Sequence, residues 1–229
     1  MAIVEHLAKF WDDRYSHEGA IWGDSPSPTA RIAAECLMAE GLGTQRPETK
    51  EILDVGFGYG RDVAFLLQQG FNVSGVELSH EGQQRANERF GREKLHASNL
   101  IVGEYTETLF PAESFDGILS HRMAHLLTTE DEIEAFARVS ARLLQSGGVL
   151  CVGARDTRDL APADMWERSP EVYEYKHRPG HLIRYWDSSG FQRVFGSRFD
   201  ILQLHATEET ESIDHPVPCH LTIMIARKR

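Results

Sequence analysis

Cysteine is scarce in this 229-residue chain: Cys36, Cys151 and Cys219 are odd in number, far apart and without a C-x-x-C pair. That excludes a disulfide framework and a zinc knuckle and predicts reduced, buried thiols. Long apolar runs are also missing. Nothing approaches the roughly 18 to 20 consecutive apolar residues that cross a bilayer, and Met1-Ala2-Ile3-Val4-Glu5-His6 has no basic stretch leading into an apolar one. A soluble, cytoplasmic protein with no membrane partner is expected. Positive charge is in deficit: Lys and Arg number 24 against 35 Asp and Glu, a formal net charge of -11. Such a chain repels a phosphate backbone at long range, so nucleic acid is set aside as a partner. No internal repeat or low-complexity tract divides the sequence, and one domain is expected.

What is present is an alternation of short apolar runs and helical patterns. Residues 1–41 read as helical around a break at Gly23-Asp24-Ser25-Pro26-Ser27-Pro28, because proline fixes φ and stops helices. Ile52-Leu53-Asp54-Val55 reads as a strand, Val63 to Leu67 as a helix closed by Gly70, and Phe71 to Val76 as a second strand ending at Glu77. Ser79 is placed to cap a helix running to about Phe90. Asn99–Val102 and Phe115–Leu119 follow as strands. Thr129-Glu130-Asp131-Glu132 then matches a capping box, opening a helix with Ile133, Phe136, Val139 and Leu143 on one face and a stop at Ser146-Gly147-Gly148. Val149–Val152, Phe199–Leu204 and Leu221–Ala226 complete seven strands. This α/β alternation predicts a doubly wound, mostly parallel seven-stranded sheet with helices on both faces, preceded by an N-terminal helical lid.

The most informative residues are Asp54-Val55-Gly56-Phe57-Gly58-Tyr59-Gly60, a D-x-G-x-G-x-G turn between a strand and a helix. Glycines there permit positive φ and close approach of a ligand to the backbone, at the N-terminal end of a helix with free N–H groups. A dinucleotide site wants G-x-G-x-x-G, but the third glycine arrives one residue early and Asp54 would repel a pyrophosphate. The sulfonium and α-ammonium of S-adenosyl-L-methionine are instead attracted by that acid. Glu77, at the end of the next strand, is placed to accept from both ribose hydroxyls. The plain alternative is an ordinary tight turn with Glu77 a solvated acid.

The stretch from Ile52 to Ser79, with Gly60-Arg61-Asp62-Val63-Ala64 followed by Gly75-Val76-Glu77-Leu78-Ser79, resembles motifs I and II of the class I S-adenosylmethionine-dependent methyltransferases. It is most similar to their small-molecule branch, which includes tellurite-resistance, thiopurine and thiol or halide methyltransferases. Trp11-Asp12-Asp13-Arg14-Tyr15 and Trp22-Gly23-Asp24-Ser25-Pro26 are similar to that branch's W-x-x-R-Y and W-G-x-x-P-S segments. The resemblance extends through Ser114–Leu119 and Gly147-Gly148, and only loosely into the final third. It implies a Rossmann-like fold in one unit: cap 1–48, cofactor-binding core 49–154, acceptor-pocket insertion 155–192 and C-terminal strands 193–229. It further implies that Gly56, Gly58 and Gly60 face the methionine and ribose, Glu77 the ribose, Leu78 the adenine, and Ser120 or His121 the methionine side. Asp54, Arg61, Tyr105, Trp11, Tyr15 and Trp22 complete the expected cofactor contacts. Glu104 stands where the family often has Asp beside the adenine.

Methyl transfer is an in-line displacement at an activated carbon, so alignment and desolvation matter most and a general base is optional. Ligands bind at the carboxyl ends of strands in such sheets. His121, Arg122 and His125 follow the fourth strand; Arg155 and Asp156 follow the fifth. The catalytic candidates are His121, as a base or orienting imidazole, with Arg155 and His181 (and Arg184 beside them) holding an anionic acceptor. The alternatives are a histidine that only hydrogen-bonds the cofactor and arginines in salt bridges. His121/His125 and His177/His181 share i,i+4 spacing without an H-E-x-x-H pattern, so no metal is expected. The expectation is a monomeric or weakly dimeric methyltransferase acting on a small-molecule acceptor. A protein methyltransferase, a non-catalytic S-adenosylmethionine sensor and an NAD-dependent enzyme are the alternatives.

Overall fold

Short apolar strands separated by helices bury both faces of a sheet when each helix crosses back over it. The computed structural model describes residues 2–39, 50–214 and 216–229, and elements are numbered in chain order. Strands β1 (Glu51–Val55), β2 (Asn72–Glu77), β3 (Asn99–Val102), β4 (Phe115–His121) and β5 (Leu144–Arg155) run parallel. β10 (Pro218–Lys228) lies antiparallel between β5 and β9 (Phe199–Thr210), giving the order β3-β2-β1-β4-β5-β10-β9. The seven expected strands are therefore all present. β9 runs six residues past its expected end at Leu204, because pairing with β10 holds its polar half in the ladder.

One face of the sheet carries α2 (Pro28–Met38), α3 (Arg61–Gln68) and α4 (His80–Glu93), whose Ala33, Leu37, Leu66 and Phe90 pack with Ile52, Val73 and Leu119. The other carries α5 (Glu130–Leu143) and α6 (Ser188–Phe195), with Phe136, Phe191 and Phe195 against Leu53, Ile118 and Met224. The placement of α2 corrects the expected cap 1–48: this helix is a layer of the core. Its buried apolar residues are mostly alanines, which give little signal of burial in the sequence. The lid proper is α1 (Ala2–Glu18) and the strap of residues 19–27. The expected boundary at 48/49 lies outside the described residues.

Capping decides how the lid seats. Ser79 caps α4 as expected, its Oγ accepting from Gly82 N at 2.9 Å. The same hydroxyl donates to Asp12 Oδ1 at 2.6 Å, and Glu81 N donates to that oxygen at 2.9 Å. Asp12 of α1 thus satisfies free donors at the α4 N-terminus, where a carboxylate is favoured. The Thr129–Glu132 capping box opens α5 as expected, but that helix stops at Leu143, before Ser146. Residues 145–148 bulge from β5, where the register against β4 slips between Phe115 and Gly117. Residues 155–192 carry a small antiparallel sheet of β6 (Met165–Ser169), β7 (Val172–Tyr175) and β8 (Leu182–Arg184). Among the described residues no helix is long and apolar enough to cross a membrane. Cys151 and Cys219 are buried free thiols, while Cys36 is half-buried.

The last glycine of the D-x-G-x-G-x-G turn joins two layers. Gly60 has φ +79, and a Cβ on it would lie 2.8 Å from both Ala86 Cβ and Phe90 Cζ of α4. Contrary to expectation it meets a helix, and it is absent from the walls of the cavity at the carboxyl ends of β1, β2 and β4. Gly60→Ala is expected to lower the unfolding free energy by about 2 to 4 kcal/mol, from overpacking and a left-handed backbone together. Urea denaturation tests this, and an unchanged midpoint contradicts it.

Candidate active site

The glycine turn has two faces. Its backbone borders a cavity of about 420 Å³ at the carboxyl ends of β1, β2 and β4, within the size range of small-ligand sites. Its side chains hold the strap. Tyr59 Oη accepts from Trp22 N at 3.1 Å and donates to Gly23 O at 2.8 Å; burial pushes this phenol up to about 12. Asp62 accepts from Ser27 N and Ser27 Oγ, both at 2.7 Å. Arg61 donates to Trp22 O at 3.2 Å and to Glu209 Oε1 at 3.3 Å. Arg61 therefore borders the cavity as expected, but its guanidinium is committed to the strap and β9. Gly58 has φ +55, and a Cβ there would fall 2.6 Å from Tyr15 Oη, so the lid closes directly on the turn.

Acid dominates the charged groups of the cavity walls. Seven carboxylates line it against the guanidiniums of Arg61 and Arg122, and both guanidiniums are paired with Glu209 of β9, Arg122 also with Glu211 just beyond it. Asp54 is buried with Oδ2 lacking any hydrogen-bond partner. Burial, with Asp62 and Glu77 nearby, holds its carboxyl well above the ordinary range. A buried orphan acid gains most from a cationic ligand. Glu77 Oε2 accepts from Gly58 N at 2.8 Å, and Oε1 accepts from Leu78 N at 2.8 Å and Ser79 N at 2.9 Å. Three of about four carboxylate acceptor sites are thereby used. Room remains for one ribose hydroxyl in this arrangement, where two were expected. Leu78 borders the same space. Glu104 also lines it, but its Oε1 accepts from Thr106 N at 3.2 Å and Thr106 Oγ1 at 3.0 Å. Tyr105 bonds Ser140 Oγ at 3.0 Å.

Twelve expected site residues line this one cavity: Trp11, Tyr15 and Trp22 of the lid, the Asp54, Gly56, Gly58 and Arg61 group, then Glu77, Leu78, Glu104, Tyr105 and His121. Ser120 does not. It is fully buried, its Oγ unpartnered, because alternation along β4 turns it away from the His121 side. Arg155 and His181 are also outside the lining, as is every other residue of 155–192, so the insertion does not cap this cavity. Arg155 donates to Cys219 Sγ at 3.2 Å and is bonded to Tyr175 and Glu211. Arg184 is fully buried on Glu130 and Glu171. His181 stacks on Phe10 at 5.5 Å, and burial with Arg178 lowers it to about 4. None of the three offers a charge to an acceptor in the cavity.

His121 does line the cavity, with both ring nitrogens engaged. Nδ1 lies 2.8 Å from Thr29 Oγ1 and Nε2 lies 2.9 Å from Glu209 Oε2. A carboxylate only accepts, so Nε2 carries a proton, and no free nitrogen is left to take one from an acceptor. That corrects its expected catalytic role. Thr29, Glu209 and Glu211 escaped the sequence analysis, the last two because the strand was expected to end at Leu204. Trp22 ties them to the lid: its Nε1 donates to Glu211 O at 2.8 Å, and Arg122, at φ +58, lies 5.2 Å over its ring.

Comparison with known proteins follows the same architecture. A family profile described as a methyltransferase domain matches residues 53–152, from β1 into β5. A 2-methyl-6-phytyl-1,4-hydroquinone methyltransferase of Synechocystis sp. is 30% identical over 199 residues, 83% of this chain and 58% of that one. A demethylmenaquinone methyltransferase of Tropheryma whipplei is 31% identical over 157 residues, 62% of this chain and 61% of its own. The solved structure of Burkholderia thailandensis 1,6-didemethyltoxoflavin-N1-methyltransferase, with bound 1,6-didemethyltoxoflavin and S-adenosylhomocysteine, superposes with TM-score 0.71 at 20% identity. That superposition covers 99% of this chain and 88% of the other. The profile and these relatives are methyltransferases, and it is to methyltransferases that the chain is similar, in sequence over these stretches and in fold over nearly its whole length. It spans about half to three-fifths of the length of the curated relatives it matches.

The β9 carboxylates carry a pH signature. Burial alone would raise Glu209, but His121, Arg61 and Arg122 hold it at about 2, below the ordinary 4.5. A depressed carboxyl stabilises the fold above its unfolded-state value and loses that contribution as pH falls toward the folded-state one. Glu209→Gln is expected to destabilise the protein by about 3 kcal/mol at pH 7. The difference should shrink between about pH 4.5 and 2. Denaturant unfolding at pH 7 and at acid pH measures it, and a pH-independent gap contradicts the assignment.

Proposed function

We propose that this chain transfers a methyl group from S-adenosyl-L-methionine to a small-molecule acceptor, leaving S-adenosylhomocysteine. The observation that carries this reading is the buried, unpartnered Asp54 Oδ2 in an acid-rich cavity. A cation satisfies it and a pyrophosphate does not. The residues fit the cofactor as follows. Asp54 receives the ammonium, and the backbone of Gly56 and Gly58 borders the methionine and ribose. Glu77 keeps one acceptor site for the ribose, and Leu78 and Glu104 border the adenine. When bound, S-adenosylmethionine supplies a methyl carbon activated by positive sulfur.

The chain's own part is alignment and exclusion of water. Leu7, Trp11, Tyr15 and Trp22 wall the cavity from the lid side, which suits a small acceptor enclosed with the cofactor better than a macromolecule laid across an open groove. His121 is a wall and a tie between Thr29 and Glu209 in this reading. The work is done by one unit made of the lid, the sheet core, the 155–192 insertion and the C-terminal strands. The hydroquinone and demethylmenaquinone methyltransferases among its relatives accord with a small organic acceptor.

Asp54→Asn keeps the shape of the side chain and removes its charge. Calorimetric titration with S-adenosylhomocysteine is expected to show at least a tenfold loss of affinity at an unchanged thermal midpoint. NAD added in excess should not displace the bound ligand from the unmodified protein. Undiminished affinity in a folded Asp54→Asn protein, or displacement by NAD, contradicts the proposal.

A further inference from the structure

The cavity has two chemically different ends. The glycine turn, Glu77, Leu78 and Glu104 supply the end at β1 to β3. α5 adds Asp131, Glu132, Ala135 and Phe136, and α1, the strap and the turn after β4 add Leu7, Trp11, Trp22, Met123, Leu126 and Leu127. Those last six side chains are apolar or aromatic, and aromatic faces suit a flat ring. Positive charge at this end is already spent. Arg122 Nη2 donates to Glu211 Oε2 at 3.1 Å, and its Nη1 lies 3.8 Å from Glu209. The cations expected to hold an anionic acceptor, Arg155, His181 and Arg184, lie outside the walls.

Most of the lining bases are spent in the same way. His121 has both nitrogens engaged, Glu77 and Glu104 accept from nearby donors, and Glu132 Oε2 accepts from Thr128 N and Thr129 N, both at 2.9 Å. Burial raises the phenols of Tyr15 and Tyr59, so they stay protonated. Glu107 and Asp131 are lining carboxylates exposed to water.

Resting on the methyltransferase reading above, we infer that the acceptor is an uncharged, flat, largely apolar molecule whose nucleophilic hydroxyl or thiol is acidic enough to ionise without an enzyme base. Its proton goes to water. The freed oxygen or sulfur pair forms the bond to the methyl carbon as the carbon–sulfur bond of the donor breaks, and that bonding pair returns to sulfur, giving a neutral thioether and a neutral methylated product.

The test has a binding arm and a transfer arm. Titration with S-adenosylhomocysteine alone first establishes the cofactor site; if that fails, the methyltransferase reading falls while binding of the probes to the free protein still judges the acceptor end. The loaded protein is then titrated with 4-nitrophenol, thiophenol, phenol, 4-hydroxybenzoate, tyramine and cyclohexanol, and each is assayed for methyl transfer. The expected result is saturable binding of the neutral aromatic probes and a kcat/KM that rises with acceptor acidity. 4-Hydroxybenzoate and cyclohexanol should fall at least 100-fold below 4-nitrophenol. Leu126→Lys, which sets a cation among these apolar walls, should narrow the gap between 4-hydroxybenzoate and 4-nitrophenol at least tenfold. Equal efficiency for 4-hydroxybenzoate, tyramine or cyclohexanol, or no saturable binding of any neutral aromatic probe, overturns the inference.

Discussion

The hydrogen bonds and close contacts of one turn, Asp54 to Asp62, hold the rest of the site together. Its backbone is pressed toward the cavity because Gly56, Gly58 and Gly60 all take positive φ, while its side chains reach outward to the strap. Tyr59, Arg61 and Asp62 together bind the backbone of residues 22 to 27. A single nine-residue segment therefore shapes the ligand face and fastens the cover over it. Any change that moves the turn moves both, and the lid in turn closes on Gly58 through Tyr15.

The second fastening comes from the far edge of the sheet. β9 is last in the strand order, yet its end delivers Glu209 and Glu211 to His121, Arg61, Arg122 and Arg155. Buried charges tolerate the loss of water only when each finds a partner, and here the cations come from α3, β5 and the turn after β4 while the anions come from β9 and the residue just past it. The consequence for chemistry is that the charged groups nearest the cavity are held by one another. The ligand meets backbone, apolar walls, the buried orphan acid of Asp54 and the water-exposed carboxylates of Glu107 and Asp131.

Much of this was legible in the sequence, for local reasons. Period-2 and period-3.6 patterns lie within single elements, so all seven strands and the α4 and α5 caps follow from neighbouring residues. The glycine turn and Glu77 are legible because their chemistry is carried by spacing. What escaped depends on distant partners. Arg155 and His181 look available in sequence, and only the fold shows Glu211, Tyr175 and Phe10 against them. Glu209 is a strand residue only by virtue of pairing with β10, and Glu211 follows just past the end of that strand. Gly60 shares the turn's signature but is required by α4, and His121 looks like a free imidazole until Thr29 and Glu209 are seen on its two nitrogens.

The central claim is that ligand binding and lid closure share the same residues. Hydrogen–deuterium exchange with and without S-adenosylhomocysteine tests this most directly. The account predicts that the ligand slows exchange both in residues 55–60 and in the strap, residues 19–27, although the strap is held mainly by side chains of the turn. Slowed exchange confined to residues 55–60, with the strap unchanged, would contradict it.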